Sequence, residues 1–284
     1  MRITETAIPG LLIIDLDVHG DNRGWFKENW QREKFTGLAP ELASFQPVQN
    51  NISFNHAGAT RGLHAEPWDK LVSVAQGKIF GAWCDLREGS ESFGEVITHE
   101  IGPETAVFVP RGVANGFQAL EDTSYSYLVN EHWSAEARYA AVNLNIVDWP
   151  LEPTEISEKD KQHPALTDVS PMPARRILVT GANGQLGRAL KRLLGDAEFC
   201  SHADFDITNP PERNWKQYST IINCAAYNDV NGAENDRAAA WAVNAEGPAK
   251  LARIAAENQI TLVHVSSDYI FDGANEVHTE ADRK

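Results

Sequence analysis

The sequence predicts an all-β domain followed by an α/β domain. In the first half, LVSVAQGKIFGAWCDL contains two strand-like runs around a Gln-Gly turn, and SYSYLVNEHW alternates aromatic with polar side chains. Many short strands with turns between them are typical of a β-barrel or a β-sandwich. From Arg175 onward, short apolar runs alternate with helical segments, an order that predicts a parallel sheet with right-handed crossovers.

The expected division of the chain is residues 1–150 for the all-β domain, 151–174 for a linker and 175–284 for the α/β domain. The stretch 149–174 carries five prolines, many charges and no sustained periodicity, which favours an interdomain linker. The α/β domain ends about 110 residues after it begins, which is short for a nucleotide-binding domain of this type. We therefore expect the α/β domain to be incomplete at its C-terminus.

Composition and charge exclude several classes of partner. The chain has 284 residues, 42% of them hydrophobic, and a formal net charge of −15. Neither half has a basic stripe, so no nucleic acid is expected as a partner. No apolar run approaches the roughly 20 residues that span a bilayer, and the N-terminus lacks the apolar core of a secretory signal, so no membrane is expected either. Three distant cysteines fit a reduced, cytoplasmic protein: Cys84, Cys200 and Cys224.

The elements expected in the α/β domain follow one another in the order strand, helix, strand, helix, strand. RRILVT, STIINCAAY and TLVHVSSDYIF are short apolar runs that predict buried strands. GANGQLGRALKRLLG combines a glycine turn with an amphipathic helix, and DRAAAWAVNAEGPAKLARIAAENQ is rich in alanine and helical in period. The glycine turn thus lies directly after the first strand.

Three glycines, Gly181, Gly184 and Gly187, occupy this turn. One permits the tight turn, a second lets the backbone approach a pyrophosphate, and a third lets the helix pack closely on the strand. The helix N-terminus adds free N–H groups and positive potential, so the context favours a dinucleotide site over a turn that binds nothing. Asp206, about 20 residues downstream, is either an acidic contact to the adenosine part of the cofactor or a solvated loop residue.

The α/β half resembles the dTDP-4-dehydrorhamnose reductase family of the extended short-chain dehydrogenases, through ILVTGANGQLGRAL, FDITN, INCAAYNDVNGAEND, AVNAEGPAKLA and VSSDYIFDG. The resemblance implies NADPH or NADH as cofactor. It implies that the cofactor pyrophosphate contacts the glycine turn, namely Gly181, Asn183, Gly184, Gln185, Leu186 and Gly187. The adenine is then expected beside Asp206 and Ile207, and the ribose and nicotinamide beside Ala225, Ala226 and Tyr227.

Ser267, in VSSDY, stands where this family has a catalytic hydroxyl residue. In the family the other two catalytic residues form a YxxxK motif further along the chain, and no such motif follows in this sequence. We therefore expect the reductase half to be inactive in this chain and to hold at most part of a cofactor site.

The all-β half contains side chains suited to proton transfer: Arg61, His64, Lys70 and, in a later strand-like run, Tyr127. A histidine can remove a proton near neutral pH, and arginine and lysine bind phosphate or developing negative charge. Proton removal beside a carbonyl also needs an acid on the opposite face and a cation near the enolate. From the residues alone a structural and a catalytic His64 both remain open.

This half resembles the dTDP-4-dehydrorhamnose 3,5-epimerase family over about residues 1–150, through DNRGWFKENW, VQNNISFNHAGATRGLHAEP, KLVSVAQGKIFGAWCDLREGSESFGE, FVPRGVANGFQAL and SYSYLVNEHW. The resemblance implies a cupin-type β-barrel (jelly roll), a homodimer, a mechanism without metal or cofactor, and a dTDP-4-keto-6-deoxy sugar as substrate. The predicted fold is therefore a jelly roll followed by a Rossmann-type doubly wound domain. The two family activities are consecutive steps of dTDP-L-rhamnose synthesis, so each resemblance supports the other.

The resemblance also implies a role for individual residues. His64 is the expected general base, Tyr127 the acid on the opposite face and Lys70 the group that stabilises the enolate oxygen. Further residues are expected to hold the nucleotide and its phosphates: Arg23, Gln49, Asn51 and Arg61. Phe26 and Glu28 are expected to help form the nucleotide pocket, partly across the dimer.

Three positions depart from the epimerase pattern. Glu66 replaces the neutral amide of the usual RGLHxQ, and Asn115 replaces the histidine of the usual HGF, where it can still donate a hydrogen bond to the substrate. The aspartate that pairs with the base normally lies in a segment like ADPxLxIxWP, which is VNLNIVDWP here. Asp148 is the carboxylate nearest to that position, so it is either the replacement partner of His64 or an exposed strand-end residue.

Two other classes remain open for the first half. His64-Ala-Glu66 faintly resembles part of a cupin metal box, but a metal cupin normally has a second His two residues on and another from a later strand, so no metal is expected. The other alternative is a nucleotide-sugar binding module without catalysis, because of the altered VNLNIVDWP segment and the missing YxxxK.

Overall fold

The computed structural model describes residues 1–135, 137–267 and 279, and it divides into two units, Met1–Ala174 and Arg175–Lys284. The strands described in the first unit are β1 (Arg2–Glu5), β2 (Leu12–Asp15), β3 (Val18–Asp21), β4 (Gly24–Lys27), β5 (Gln49–Asn55), β6 (Thr60–Ala65), β7 (Lys70–Gln76), β8 (Ile79–Asp85), β9 (Val96–Ile101), β10 (Thr105–Val109), β11 (Val113–Ala119), β12 (Thr123–Val129) and β13 (Ala140–Ala141). Its short helices are α1 (Arg32–Thr36), α2 (Pro40–Ser44) and α3 (Glu158–Lys161).

Two antiparallel sheets face each other across the core of the first unit. One has the strand order β1-β2-β10-β7-β12-β5, and the other has the order β13-β6-β11-β8-β9. Val72 and Val107 from the first sheet and Trp83 and Phe117 from the second lie in one buried cluster. Removing the inner faces of both sheets from water stabilises this arrangement. The facing sheets confirm the predicted all-β domain.

The turn at Gln76-Gly77 joins β7 to β8, as the two strand-like runs predict. Gly77 has φ +86°, and a Cβ there would lie 2.4 Å from the carbonyl oxygen of Asp122. A residue with a side chain would therefore be strained in both conformation and space. Strands β3 and β4 form a separate two-stranded hairpin whose residues are mostly exposed.

Residues 151–174 pack against the first unit, so the prediction of a linker is wrong. The backbone N–H of Met172 donates to the carbonyl of Leu86 at 2.7 Å, and Met172 itself is buried in the core beside the five-stranded sheet. Leu166 and Val169 pack against the same cluster. The segment is held by isolated β-bridges and a few packed side chains rather than by a regular strand or helix. Such attachment needs no periodic pattern of apolar residues, so it is compatible with many prolines and charges.

The second unit contains a parallel sheet with the strand order β15-β14-β16-β17. These strands are β14 (Arg176–Thr180), β15 (Glu198–Cys200), β16 (Tyr218–Asn223) and β17 (Thr261–His264). The helices are α4 (Gln185–Leu190), α5 (Val230–Asn235), α6 (Arg237–Trp241) and α7 (Gly247–Glu257), with a π-helical turn at Ala242–Glu246. Leu251 and Ala255 of α7 are buried in one cluster with Leu178 and Ile221 of the sheet. The parallel sheet is confirmed, and the expected order of strands and helices holds except for β15, a short additional strand between α4 and β16.

The last predicted strand, TLVHVSSDYIF, is described only up to Ser267, and β17 covers its first four residues. Its final residues, 268–271, lie outside the described part of the chain. Among the residues that the structure describes, no helix combines the length and the apolar content that crossing a bilayer requires.

Candidate functional site

The first unit contains two adjoining cavities of about 560 and 510 Å3. Both sheets contribute to the walls, since β5 and β12 belong to one sheet and β6 to the other. Five residues line both cavities: Asn51, His64, Glu66, Tyr127 and Lys159. The site therefore lies between the sheets, with helix α3 closing one side.

His64 and Asp160 form a hydrogen-bonded pair in this wall. Nε2 of His64 lies 2.8 Å from Oδ1 of Asp160. The side chain of His64 is 36% exposed and that of Asp160 5%, so the imidazole can be reached from the cavity while the carboxylate is covered. A carboxylate only accepts hydrogen bonds, so Nε2 carries the proton and Nδ1 has the lone pair that can remove a proton from a bound molecule.

Helix α3 positions the carboxylate. The hydroxyl of Ser157 caps the helix by accepting a hydrogen bond from the backbone N–H of Asp160 at 3.1 Å. The backbone N–H of Gly62 donates to the second carboxylate oxygen at 3.1 Å. Burial raises the pKa of Asp160, but its bonds to His64, Gly62 and Ser157 and the charge of His64 outweigh burial and lower the pKa. Asp160 is thus an ionised partner that orients His64.

The carboxylate beside His64 is Asp160, so of the two alternatives for Asp148 the replacement partner is wrong and the exposed residue agrees with the structure. Asp148 is exposed in the stretch before Trp149. Asp160 lies 96 residues from His64 and comes from the segment that was expected to be a linker. Its position depends on the packing of residues 151–174, which no local pattern reveals.

His163 is a third titratable side chain in this group. Its ring stands edge-on to that of His64, with centroids 5.0 Å apart, and its Nε2 lies 3.8 Å from Oδ1 of Asp160. The side chain is 7% exposed, and Nε2 has no hydrogen-bond partner among the described residues. Burial lowers the pKa of His163, the neighbouring His64 lowers it further, and Asp160 partly offsets both.

Lys70 lines the second cavity and forms a buried ion pair with Glu66. Its ammonium also lies 5.2 Å from the centre of the Tyr127 ring. Burial raises the pKa of Tyr127, and the charge of Glu66 raises it further, while Arg61 partly offsets them. Glu66 therefore holds the ammonium in place and keeps the phenol of Tyr127 in its protonated, proton-donating form.

Asn115 lies deeper in the second cavity. Its side-chain oxygen accepts a hydrogen bond from the indole N–H of Trp83 at 3.0 Å, and its amide nitrogen donates to the hydroxyl of Tyr125 at 3.2 Å. Burial raises the pKa of Tyr125 far above its ordinary value. Asn115 thus faces the cavity as part of a neutral, hydrogen-bonded network.

Three predicted substrate contacts line the cavities from β5 and β6. Gln49 donates to the side-chain oxygen of Asn51 at 2.9 Å. Arg61 donates through Nε to the side-chain oxygen of Asn55 at 2.7 Å, and it lines the second cavity. The structure therefore brings these three residues to the same site as His64.

The remaining predicted contacts, Arg23, Phe26 and Glu28, lie on or beside the β3–β4 hairpin and are absent from the walls of this site. Arg23 is almost fully exposed and pairs with Asp21, and Phe26 is 64% exposed. Phe26 and Glu28 line a separate cavity of about 200 Å3. Within one chain these three residues do not join the His64 site.

In the second unit, the glycine turn packs closely against the sheet. Gly181 has φ +70°, and a Cβ there would lie 2.6 Å from the backbone of Cys224 and Ala225. A Cβ on Gly187 would lie 2.5 Å from the carbonyl oxygen of Gly181. These two glycines allow the turn and the helix to pack against the sheet, whereas Gly184 is exposed.

The other predicted cofactor residues divide into exposed and buried groups. Those around the turn are exposed: Asn183, Gln185 and Leu186. Asp206 accepts hydrogen bonds from the backbone and hydroxyl of Thr208, which lower its pKa, while the side chain of Ile207 is buried against α7. Ala226 and Ser267 are exposed, and Ala225 and Tyr227 are half-buried.

Sequence reasoning missed several functional candidates, namely Lys159, Asp160, His163 and a hydrogen-bonded set in which Thr180 and Asn223 are buried and His264 is exposed. In that set the hydroxyl of Thr180 donates to the Asn223 side chain at 2.6 Å, and the Asn223 amide lies 3.0 Å from Nδ1 of His264. The first three residues stand in EKDKQH, where the pattern of charges alone gives no sign of a site.

Comparison with known families divides the chain in the same way as its contacts do. Residues 5–168 match the model of the dTDP-4-dehydrorhamnose 3,5-epimerase family, and residues 175–284 match the RmlD substrate binding domain. A Streptococcus pyogenes protein described as an RmlC homolog is 53% identical over 176 residues, which are 58% of this chain and 89% of that protein. A Mycobacterium tuberculosis dTDP-4-dehydrorhamnose reductase is 45% identical over 106 residues, and the chain spans 35% of its length.

Solved structures agree for the first unit. The RmlC of Streptococcus suis, solved with dTDP-D-xylose, has a TM-score of 0.57 and 50% identity, covering 61% of this chain and 94% of that one. The dTDP-4-dehydrorhamnose 3,5-epimerase of Sulfolobus tokodaii has a TM-score of 0.55 and 30% identity, covering 61% and 99%.

Proposed function

Because the chain belongs to the dTDP-4-dehydrorhamnose 3,5-epimerase family, we propose that its first unit epimerises dTDP-4-dehydro-6-deoxy-D-glucose at C3 and C5 to give dTDP-4-dehydro-L-rhamnose. The observation that carries the proposal is the His64–Asp160 pair, which faces a cavity also lined by Tyr127 and Lys70. A base, an acid and a cation around one cavity are what epimerisation beside a ketone requires.

The reaction begins when Nδ1 of His64 removes the proton from a carbon next to the C4 ketone. The electron pair of the broken C–H bond moves into an enolate, and its negative charge develops on the C4 oxygen. Lys70 stabilises that charge, since its ammonium is held in the cavity by Glu66. Asp160 stabilises the imidazolium that His64 has become.

Inversion follows when Tyr127 donates its phenolic proton to the opposite face of the same carbon. The C–H bond forms again with reversed configuration, and the enolate returns to the ketone. The raised pKa of Tyr127 keeps the phenol protonated and ready to donate. Proton exchange with water then resets His64 and Tyr127, and the sequence repeats at the second carbon.

The substrate's nucleotide diphosphate is expected against the polar side chains that line the cavities from β5 and β6. Arg61 has a planar, charged guanidinium that can form two parallel hydrogen bonds to one phosphate. Gln49 and Asn51 offer amides for the sugar or base. Asn115 supplies the neutral hydrogen-bonding network beneath the sugar.

A homodimer is the second part of the proposal. Trp25 and Phe26 on the hairpin, and Ile52 and Phe54 on the edge strand β5, are all large apolar side chains that are more than 45% exposed. A second copy that covers them also removes an unpaired sheet edge from water. Arg23, Phe26 and Glu28 then reach the nucleotide of the partner copy.

For the second unit we propose binding of NADPH or NADH. The residues around the glycine turn fit a pyrophosphate, because Gly181 and Gly187 give the close packing and exposed Gly184 leaves the approach open. A nicotinamide bound there would supply hydride-transfer chemistry, while the expectation that this half is inactive in this chain stays a prediction. Asp206 would lie near the adenosine, and Ala225, Ala226, Tyr227 and Ser267 would lie towards the nicotinamide.

The function is tested by incubating the full chain with dTDP-4-dehydro-6-deoxy-D-glucose, with a chelator and without nicotinamide cofactor, and following the sugar by NMR. The expected result is a new 4-keto sugar with inverted C3 and C5. An unchanged sugar in the presence of demonstrable dTDP-sugar binding would contradict the proposal and favour a binding module.

A further inference from the structure

We propose that His64, Asp160 and His163 form an inhibitory binding site for a divalent cation of the zinc type, which silences the epimerase by occupying its base. The inference rests on the proposed function of His64. It starts from the unused Nε2 of His163, a buried nitrogen that has no hydrogen-bond partner among the described residues. A polar atom buried without a partner costs free energy, and a cation at this point would satisfy it.

The donor set suits such an ion, and its spacing is close to the one that the ion requires. Nε2 of His64 and Nε2 of His163 lie 2.8 and 3.8 Å from Oδ1 of Asp160, and one ligand atom from each residue lies within 4.8 Å of the others. Zinc ligands at about 2.0–2.1 Å from the metal stand about 3.3 Å apart in a tetrahedron, a value between the two measured distances. Two imidazoles and one carboxylate leave a fourth position for water.

The cavities give an ion access to the three residues, and neighbouring groups fix the side chains that would bind it. All three residues line the cavities, so an ion from solvent can reach them. Asp160 and His163 are largely buried, and Asp160 is also fixed by Gly62 and the α3 cap. A ligand held by such outer contacts loses little conformational freedom when a metal binds.

Inhibition follows from the position of the ring proton on His64. In the active pair, Nε2 carries the proton and Nδ1 has the lone pair. When the cation takes the lone pair of Nε2, the ring proton moves to Nδ1, and no proton leaves the protein. Nδ1 can then no longer accept a proton from the sugar. The cation therefore lowers kcat and does not act as a cofactor.

The test uses the full chain after chelator treatment. Zn2+ at micromolar concentration is expected to abolish epimerisation, and a chelator to restore it. His163→Phe keeps a buried ring but removes the donor, so this variant should require at least 10-fold more Zn2+ to halve its own metal-free rate. His56→Phe is the matched control, since His56 also pairs with a carboxylate, that of Asp122, but on the surface.

Co2+ gives a readout that does not depend on activity. Tetrahedral nitrogen and oxygen ligation should produce visible absorption bands that wild type and His56→Phe show and His163→Phe lacks. Equal Zn2+ inhibition of wild type and His163→Phe, absence of bands, or activation by the metal would each overturn the proposal. An inactive metal-free wild type would instead contradict the epimerase function, while the Co2+ bands would still test the site.

Discussion

At the scale of single residues, the pairing of His64 with Asp160 determines which nitrogen acts as base. Asp160→Asn removes the negative charge and offers an amide that can donate to Nε2, so the tautomer with a lone pair on Nδ1 is no longer favoured. We expect kcat to fall by about 10²-fold, measured by NMR of the epimerised sugar.

Asp148→Asn is the matched control for that change, because Asp148 is the exposed carboxylate near the family's usual position. It should retain activity within about 2-fold of wild type, since surface substitutions away from such features change little. A large loss in Asp148→Asn together with an active Asp160→Asn would reverse the assignment.

Glu66 has a separate, electrostatic effect on the acid. Its charge raises the pKa of Tyr127, after burial, which is the larger cause. Glu66→Gln removes that charge, which lowers the pKa of Tyr127. Because the acid must be protonated to donate, the alkaline limb of kcat/KM should move to lower pH.

The control for the pH profile is Glu100→Gln, which breaks the exposed ion pair with Lys78 far from the cavity walls. Its pH profile should coincide with that of wild type. An alkaline limb that stays in place in Glu66→Gln would show that Tyr127 is not the group whose ionisation ends activity.

The base, the acid and the cation could be predicted from the sequence, but Asp160, the partner of the base, could not. His64, Lys70 and Tyr127 stand on strands whose alternation and motifs are local properties of the chain. Asp160 reaches His64 across 96 residues of sequence through a four-residue helix. Asp160 stands among the charged residues Glu158, Lys159 and Lys161. Nothing in this pattern distinguishes a buried carboxylate from solvent-exposed ones.

At the scale of elements, Asp85 holds the connection between β8 and β9. Its buried carboxylate accepts hydrogen bonds from the backbone and guanidinium of Arg87 and from the hydroxyls of Ser90 and Ser92. Burial by itself raises the pKa of Asp85, but these bonds outweigh it and hold the pKa at about 2.

Because this pKa lies below the ordinary value of 3.8, the ionised carboxylate stabilises the fold above about pH 4, and that stabilisation is lost as the pH falls towards 2. Asp85→Asn should lower the free energy of unfolding at pH 7 by about 3–5 kcal/mol, measured by urea denaturation. The difference in the free energy of unfolding between wild type and Asp85→Asn should be smaller at pH 3.

Asp15→Asn, which removes a carboxylate paired with Arg2 on the surface, should change the free energy of unfolding by less than about 1 kcal/mol. If Asp85→Asn were as mild as Asp15→Asn at pH 7, the turn would not depend on the buried carboxylate. The residue types in DLREGSES predict a turn. They do not reveal that the Asp85 carboxylate accepts hydrogen bonds from several residues of that turn.

At the scale of the whole molecule, residues 151–174 complete the first unit and do not connect two finished domains. They supply Asp160 to the site and Met172 to the core. A chain ending at residue 174 should fold and epimerise like the full chain, whereas a chain ending at residue 150 should lose Asp160 and about 2–5 kcal/mol of stability from Met172 alone.

Activity of both truncated chains, together with their urea denaturation, checks this division. An active and stable 1–150 chain would restore the interpretation of 151–174 as a linker. The two-domain order was predictable because strand and helix periods differ along the chain. The domain boundary was not, because proline and charge content describe local stiffness and solvation, whereas membership of a core depends on contacts such as that between Met172 and Leu86.

The central claim is that His64 removes the protons beside the ketone and Tyr127 returns them from the other face. Its most direct test is incorporation of solvent deuterium into dTDP-4-dehydro-6-deoxy-D-glucose by wild type, His64→Asn and Tyr127→Phe, followed position by position by NMR. Wild type should incorporate deuterium at C3 and C5 with inversion, and His64→Asn should lose exchange at both by at least about 10²-fold. Tyr127→Phe should retain exchange but lose inversion. Exchange by His64→Asn at the wild-type rate would contradict the account.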